Sequence, residues 1–357
     1  MSSESRFLSS TLVIALGTGS FSDGGMAVSL RVVMMGTGTF ALPAFRKLIE
    51  SSHQIVGLLT QPDRTGKGHH QHVNPLKELA LTQGIPVLQP ARANAPESLE
   101  QLRSLAADLF VVAAYGQILS ADLLAIPRLG AINLHGSLLP KYRGAAPVQY
   151  AVWKGETETG VTIFQIEPRL DAGPILGVVT TSILPRETSG QLHDRLAELA
   201  GPLALQVVEE LEHGTSRPRL QNPGQVTKSP RIKKEEGVID WQRPAREIGW
   251  HVRAMQPWPM PYTFLHLPGR TPLRLLILDV DSVGWPLSKA ASAGTIAVHD
   301  GALFVRTGDG AVRVNMLQPA GKRAMLASDF LRGTALAEGQ MRGEFPDQNT
   351  PPSSQGI

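Results

Sequence analysis

The sequence predicts an α/β fold: a domain with a parallel-type, doubly wound sheet, followed by a smaller β-barrel domain. Three observations predict it. Short apolar runs alternate with amphipathic stretches from Leu30 to Leu184, the rhythm of repeated β-α-β units. A Pro-, Gly- and Asn-rich stretch then interrupts the chain around Pro218, Pro223 and Pro230, as linkers do. Beyond it, "TIAVHDGALFVRTGDGAVRVNML" (Thr295–Leu317) alternates apolar and polar residues across two Asp-Gly turn signals, the pattern of antiparallel hairpins.

Taken in order, "LRVVMMG" (Leu30–Gly36) is continuously apolar from Val32 to Met35, as a strand covered on both faces is expected to be. "FALPAFRKLIESS" (Phe40–Ser52) reads as a helix and "QIVGLLT" (Gln54–Thr60) as the second strand. Helices are expected at Pro75–Gln83 and Pro96–Leu105. The strand "DLFVVAAYG" (Asp108–Gly116), a short helix and the strand "AINLHG" (Ala131–Gly136) follow. Right-handed crossovers link such strands. "GVTIFQI" (Gly160–Ile166) and "ILGVVTTSIL" (Ile175–Leu184) flank the loop Glu167–Pro174. A long helix is expected from Thr188, which can cap it, to Gly214, which permits a terminating left-handed turn. A short helix at Ala245–Met255 precedes the hairpins, and closure into a barrel would remove exposed strand edges.

The expected organisation is residues 1–29 as a disordered extension, or a start assigned ahead of Met26, then 30–214 as a catalytic domain. Residues 215–230 form a linker, 231–333 the barrel and 334–357 a disordered tail. "FLSSTLVIALG" (Phe7–Gly17) has the length of a signal-peptide core but poor flanks, and it is too short to span a bilayer.

The chain of 357 residues is 42% hydrophobic and has no cysteine. It can therefore bury a sizeable core but cannot form disulfides or thiolate metal sites. Its net charge is only +3, yet Arg217–Gly333 holds 17 Lys and Arg against 9 Asp and Glu. Such asymmetry fits an anionic partner, nucleic acid first, or simply a basic solvated surface.

Several motifs carry chemistry, each with a plainer reading beside it. "GTGTFA" (Gly36–Ala41) fits a dinucleotide-binding fingerprint between strand and helix, so a dehydrogenase enters consideration. The second strand, however, ends in Thr60 and Gln61 with no acidic residue for a ribose, and a tight turn explains the glycines equally well. His69, His70 and His72 lie in a Gly-rich, charged loop. Without a regular helix beneath them, a loop ordered by a polyanion is the better reading than a metal site. Asn133 and His135 are two residues apart at a strand end, so they project to one face where open α/β sheets bind ligands. A lone buried histidine is usually a satisfied core residue. With Asp171 in the facing loop "RLDAGPIL" the three suit acyl transfer: an amide and an imidazole for a developing oxyanion, and a carboxylate to orient the ring or manage a proton. No serine or cysteine nucleophile is needed if the substrate brings an amine.

"INLHGSLLPKYRGAAPVQ" (Ile132–Gln149), "AYGQIL" (Ala114–Leu119), "GVTIFQI", "LDAGPI" (Leu170–Ile175), "TQPDR" (Thr60–Arg64), "WPMP" (Trp258–Pro261) and "LQPAGKRAM" (Leu317–Met325) together resemble the methionyl-tRNA formyltransferase family over residues 30 to 332. The first four segments are similar to those of other enzymes using 10-formyltetrahydrofolate; the last three point to the tRNA enzyme.

The resemblance implies a Rossmann-like catalytic domain, a linker and an OB-like C-terminal domain. It also implies attack by the α-amine of initiator methionyl-tRNA on the formyl carbon of 10-formyltetrahydrofolate, a co-substrate, with no metal. Asn133 and His135 would polarise the formyl oxygen, while Asp171 orients His135 and a water. Ser137, Leu138, Leu139 and Pro140 would line the folate pocket, and backbone of Tyr115, Gly116, Gln117, Ile118 and Leu119 would hold the pterin. The loop Gln61–Pro75, with Arg64 and Lys67, would enter the acceptor stem.

Lys67 stands where family members often have Arg, and loses the planar fork while keeping the charge; Gly38 stands where proline is common. Lys228, Arg231, Lys233, Lys322 and Arg323 would hold the tRNA backbone, a salt-sensitive contribution. A cytoplasmic monomer, not attached to a membrane, is expected. A formyltransferase acting on a small amine such as a sugar nucleotide or glycinamide ribonucleotide, an NAD-dependent oxidoreductase and a non-catalytic tRNA-binding protein are the alternatives.

Overall fold

The computed structural model describes residues 29–63, 74–287, 291–334, 336 and 340–342. The expectations for the amino-terminal extension, Arg64, Lys67 and the three loop histidines therefore lie outside, or almost wholly outside, the described residues; of the tail expected to be disordered from residue 334, Gln340–Arg342 forms a strand instead.

The first sheet contains β1 (Arg31–Gly36), β2 (Gln54–Leu59), β3 (Val87–Leu88), β4 (Leu109–Ala113), β5 (Ala131–His135), β7 (Glu158–Gln165) and β8 (Ile175–Ser182), in the order β3-β2-β1-β4-β5-β7-β8. The two-residue β6 (Arg143–Gly144) stands apart and pairs with β9 (Lys228–Ser229). Around the sheet lie α1 (Leu42–Ile49), α2 (Pro75–Thr82), α3 (Pro96–Ser104), α4 (Ala121–Leu124), α5 (Pro147–Trp153) and α6 (Ser189–Glu212). From β1 the chain steps outward through β2 to β3, then returns to place β4 on the other side of β1. That reversal opens a crevice at the carboxyl ends of the central strands.

The sheet is mixed rather than wholly parallel. β7 runs antiparallel to both β5 and β8. α5 and its flanking loops join the two strands, and the chain enters β7 from the end at which it left β5.

The central strands are apolar on both faces because both are covered: Val32 and Met34 face one core cluster, Val33 and Met35 the other. α6 begins with a reciprocal capping box, Thr188 with Gln191, which satisfies two amide groups that a helix start otherwise leaves unpaired. It then buries Leu192 and Leu196 completely, each contributing roughly 1.5–3 kcal/mol.

After β9 the chain forms α7 (Ala245–Ala254), β10 (Tyr262–His266), β11 (Leu273–Val283), β12 (Ile296–His299), β13 (Ala302–Arg306), β14 (Ala311–Pro319), β15 (Met325–Leu326), α8 (Ala327–Gly333) and β16 (Gln340–Arg342). The second sheet is antiparallel in the order β12-β13-β14-β11-β10-β16. Its first hairpin turns at Asp300 and Gly301, both at positive φ (48° and 71°), the conformation a two-residue turn needs to match strand twist. The Met341 amide donates to the Gly294 carbonyl at 2.7 Å, so β16 returns towards β12 and the barrel nearly closes. It encloses a separate apolar core including Leu275, Ile277, Leu303 and Leu317.

The two parts meet where the start of α6 touches α7 and β11. Ser189 donates to the Ala254 and Gln256 carbonyls, and Arg186 pairs with Asp279 and Asp281.

Candidate active site

β5 delivers Asn133 and His135 to the crevice on one face, opposite Phe164 and Thr162 of β7. Ile132 and Leu134 point the other way, into the main core. His135 is buried, and its ring stands edge-on to Phe164 with centroids 6.3 Å apart. Its Nε2 lies 2.9 Å from the Tyr142 carbonyl oxygen. A carbonyl only accepts, so Nε2 carries the proton and Nδ1 is the open position. Burial pushes the imidazole below its ordinary pKa, against the opposing Asp171 charge and the Tyr142 hydrogen bond; the ring is neutral at pH 7. Asn133 is half-buried, and among the described residues its side-chain amide has no hydrogen-bond partner. An unpaired amide beside a neutral ring with one free nitrogen leaves both able to act on a ligand.

Asp171 arrives from the loop after β7. Its Oδ2 lies 3.8 Å from His135 Nδ1 and accepts the Gly144 amide hydrogen at 2.7 Å. The carboxylate therefore faces the ring without closing a hydrogen bond to it. Gly144 has φ +128°, and a Cβ there would lie 2.5 Å from the Ser229 oxygen; only glycine permits this approach. Ala114, Tyr142 and Asp171, all bordering the crevice, have positive φ (50°, 62° and 48°). Each costs about 1–3 kcal/mol, strain typical of functional loops.

The two proposed folate loops lie at the ends of neighbouring strands. Ser137 and Leu139 are buried, as is Tyr115, whose hydroxyl has no partner among the described residues and is pushed up to about 12 by burial. These three can therefore meet a ligand chiefly through backbone, whereas Leu138, Pro140, Gly116 and Ile118 are at least partly open. The loop from Tyr115 is anchored from outside: Gln61 donates to the Tyr115 carbonyl, the Gln117 side chain accepts from Ala93, and Asn94 donates to the Ile118 carbonyl. Leu119 packs on the core. Two large apolar side chains in these crevice loops are exposed, Ile118 at 84% and Leu170 at 69%.

Residues that sequence reasoning missed hold the site together. Thr162, fully buried, donates to the Ser137 carbonyl at 2.7 Å and accepts from the Leu139 amide at 3.1 Å; a polar residue within the apolar "GVTIFQI" was the available signal. Gln221, Thr227 and Ser229, from the linker, reach the same region, and nothing local in their sequence marks them.

The glycines of "GTGTFA" serve a turn: a Cβ on Gly36 would lie 2.8 Å from the Ala113 carbonyl oxygen, and Gly38 has φ +90°. Asp63, the first acidic residue after β2, is engaged by Lys77 and Gln89. Of the expected tRNA contacts, Lys228, Arg231 and Lys233 lie just beyond the catalytic sheet, while Lys322 and Arg323 lie in the turn between β14 and β15. All five are exposed, and among the described residues none makes an ion pair.

The fold, with an amide, an imidazole and a carboxylate gathered at the end of β5 and a barrel joined beyond it, is that of a formyl transferase. Residues 30–208 match the family profile described as formyl transferase, and 231–335 match the formyl transferase C-terminal domain. The chain is 43% identical over 311 residues to the methionyl-tRNA formyltransferase of Methylococcus capsulatus, covering 86% of this chain and 98% of that one. With the Bacillus cereus (strain AH187) methionyl-tRNA formyltransferase it shares 41% over 322 residues, 88% of this chain and 99% of the other. The protein belongs to the methionyl-tRNA formyltransferase family. Among solved structures, the N-formyltransferase of Helicobacter canadensis, in complex with folinic acid and dTDP-3-aminofucose, shares the fold at TM-score 0.59 and 17% identity, over 80% of this chain and 98% of that one.

Proposed function

We propose that the chain transfers the formyl group of 10-formyltetrahydrofolate to the α-amine of initiator methionyl-tRNA. The observation that carries this reading is the unpartnered Asn133 amide beside a buried, neutral His135 whose open Nδ1 faces Asp171.

Asn133 donates to the formyl oxygen as the amine lone pair closes on the formyl carbon and the new C–N bond forms. The attacking nitrogen then carries a surplus proton, which Nδ1 of His135 accepts directly or through a water. The Asp171 carboxylate stabilises the resulting imidazolium. As the bond to N10 breaks, that proton passes to N10 and tetrahydrofolate departs. In this order His135 acts first as a base, and it can donate to the oxygen only once it holds that proton. Fixed donors aimed at developing charge supply a large share of such rate enhancement.

Backbone of Tyr115–Leu119 and Ser137–Pro140 would hold the folate, with Ile118 and Leu170 covering apolar parts of the substrates. Residues 30–214 form the catalytic unit and 231–333 the tRNA-holding unit across the 215–230 linker; the barrel has its own apolar core, while Ile232, Ala254 and Met255 pack into the first. Lys228, Arg231, Lys233, Lys322 and Arg323 would meet the tRNA backbone, and Arg64 and Lys67 the acceptor stem. Among the described residues no helix is long and apolar enough to cross a membrane, and the reading places the enzyme in the cytoplasm as a monomer.

Purified protein should consume 10-formyltetrahydrofolate only with charged initiator tRNA; turnover on free small amines instead would point to the other formyltransferases. Asn133→Ala should lower kcat by about 10²-fold with little change in substrate binding, and a wild-type rate would remove Asn133 from the reaction.

A further inference from the structure

Residues 215–230 read from the sequence as a connection, and "QNPGQVTKS" (Gln221–Ser229) shows no chemical motif. In the structure β9 pairs in parallel with β6, Arg143 opposite Lys228 and Gly144 opposite Ser229. The pairing lays the linker along the loop between β5 and α5, which supplies the hydrogen-bond partner of His135. Here the Tyr142 peptide is gripped from both sides. Its N–H donates to Thr227 Oγ1 at 2.8 Å, and its carbonyl accepts the Ser229 hydroxyl at 2.8 Å. That same carbonyl receives Nε2–H of His135.

Gln221 performs a second task nearby. Its amide donates to the carbonyls of Asp171 and Gly173, at 2.9 and 2.8 Å, while its own oxygen accepts two hydrogens from Arg143. Tyr142 and Asp171 both hold left-handed conformations, which persist only where the surroundings over-determine them. In both cases, linker side chains provide part of that constraint.

We propose that the linker segment Gln221–Ser229 is a positioning element of the active site. Through the Tyr142 carbonyl it fixes the His135 ring with its proton on Nε2 and Nδ1 open towards Asp171. Through Gln221 it holds the Asp171 loop against that ring. The proposal rests on the formyl-transfer reading of these two residues. Without the Ser229 hydroxyl the Tyr142 carbonyl can tilt and the ring can exchange tautomers; a proton on Nδ1 removes the acceptor that the attacking amine needs. Lys228, exposed and without an ion pair among the described residues, sits between the two clamps. An anionic backbone bound there would press β9 onto β6, so binding energy remote from the reacting atoms would appear as ring orientation, hence in kcat.

The test uses the full chain with Ser229→Ala, Gln221→Ala and Gln221→Glu, 10-formyltetrahydrofolate and charged initiator tRNA. Gln221→Glu keeps the acceptor for Arg143 but removes the donors to Asp171 and Gly173. Each variant should lose about tenfold or more in kcat with both KM values within about twofold, the signature of misorientation. The His135 ring ¹⁵N resonances should change from a single Nε2–H tautomer to a mixture in Ser229→Ala. Gln221 is only half-buried, so its variants carry the test should Ser229→Ala not fold. Wild-type kcat in the folded variants overturns the proposal, as does a loss confined to KM. Asn133→Ala separates the two readings: if it is slow while the linker variants are not, only the linker role fails; if it is wild-type, the formyl-transfer reading fails.

Discussion

Replacing Thr162 with valine tests how the Ser137–Leu139 loop, proposed to line the folate site, is held. Valine keeps the shape and β-branching of threonine, so the strand should tolerate it. What it lacks is the hydroxyl that accepts from Leu139 N–H and donates to the Ser137 carbonyl. Thr162, Ser137 and Leu139 are all buried, so water cannot replace either bond without movement of the loop. An unsatisfied buried backbone group costs about 1–3 kcal/mol. Two of them set an upper range of roughly 2–6 kcal/mol. Partial relaxation of the loop, at the expense of Leu139 packing on Phe164 and Ile175, brings the expected loss to about 2–4 kcal/mol. Thr162→Ser keeps the hydroxyl and removes one methyl, for about 1 kcal/mol. Urea unfolding of the three proteins measures the difference, and the KM for 10-formyltetrahydrofolate should rise in the valine variant alone. If Thr162→Val is as stable as Thr162→Ser, the hydroxyl does not hold this loop and the reasoning is wrong.

Acid should destabilise the fold in a defined window. Burial is the main cause holding His135 and His251 below their ordinary value of 6.5. Below that pH the unfolded chain binds more protons than the folded one, and stability should drop by up to about 1.4 kcal/mol per pH unit per histidine until the folded-state values are reached; urea midpoints that stay flat between pH 7.5 and 5.5 would contradict this. Changing Lys322 and Arg323 together to alanine should weaken tRNA binding and make the slope of log K against log salt shallower by roughly 1 per lost phosphate contact, measured by filter binding over a salt series. Gly155 has φ +68°, and a Cβ there would lie 2.3 Å from the Trp250 ring. Gly155→Ala should therefore force α5 and α7 apart and cost more than about 1 kcal/mol in unfolding measurements.

Much of this architecture was legible because local pattern and tertiary demand coincide. The apolar runs of β1 (Val32–Met35) and β4 read as covered strands, the Asp-Gly turns marked the hairpins at β12–β14, and Thr188 announced α6. Asn133 and His135 stood out because period-two geometry puts them on one face at a strand end. β10, β11 and β16 were not identified: β10 and β16, of five and three residues, carry little signal of their own, while the eleven-residue β11 has an apolar run, Leu275–Leu278, that could have been read as a strand. Thr162 could have been noticed; Gln221 and Ser229 could not, because their roles arise from contacts across 50 and 87 positions of chain.

The direction of β7 explains why those distant contacts exist. A parallel strand after β5 would have released its following loop at the carboxyl edge of the sheet, directly beside His135. β7 instead pairs Thr162 with His135 and Gln165 with Ile132, so its loop starts three residues, about 10 Å, away from the imidazole. To bring its carboxylate to Nδ1, that loop must fold back over the face from which Asn133 and His135 project. Asp171 does so in a left-handed conformation, with its oxygen on the Gly144 amide and its carbonyl on Gln221. A back-folded loop with a strained turn needs an external anchor, and the nearest available chain is the segment leaving α6 towards the barrel. The antiparallel strand thus makes the linker and the Asp171 carboxylate interdependent. Lengthening the linker by two residues between Gln221 and Lys228 should therefore slow formyl transfer even where tRNA affinity is retained, because it shifts one anchor relative to the other. A lengthened chain with wild-type kcat would show that the Asp171 loop holds its place without the linker.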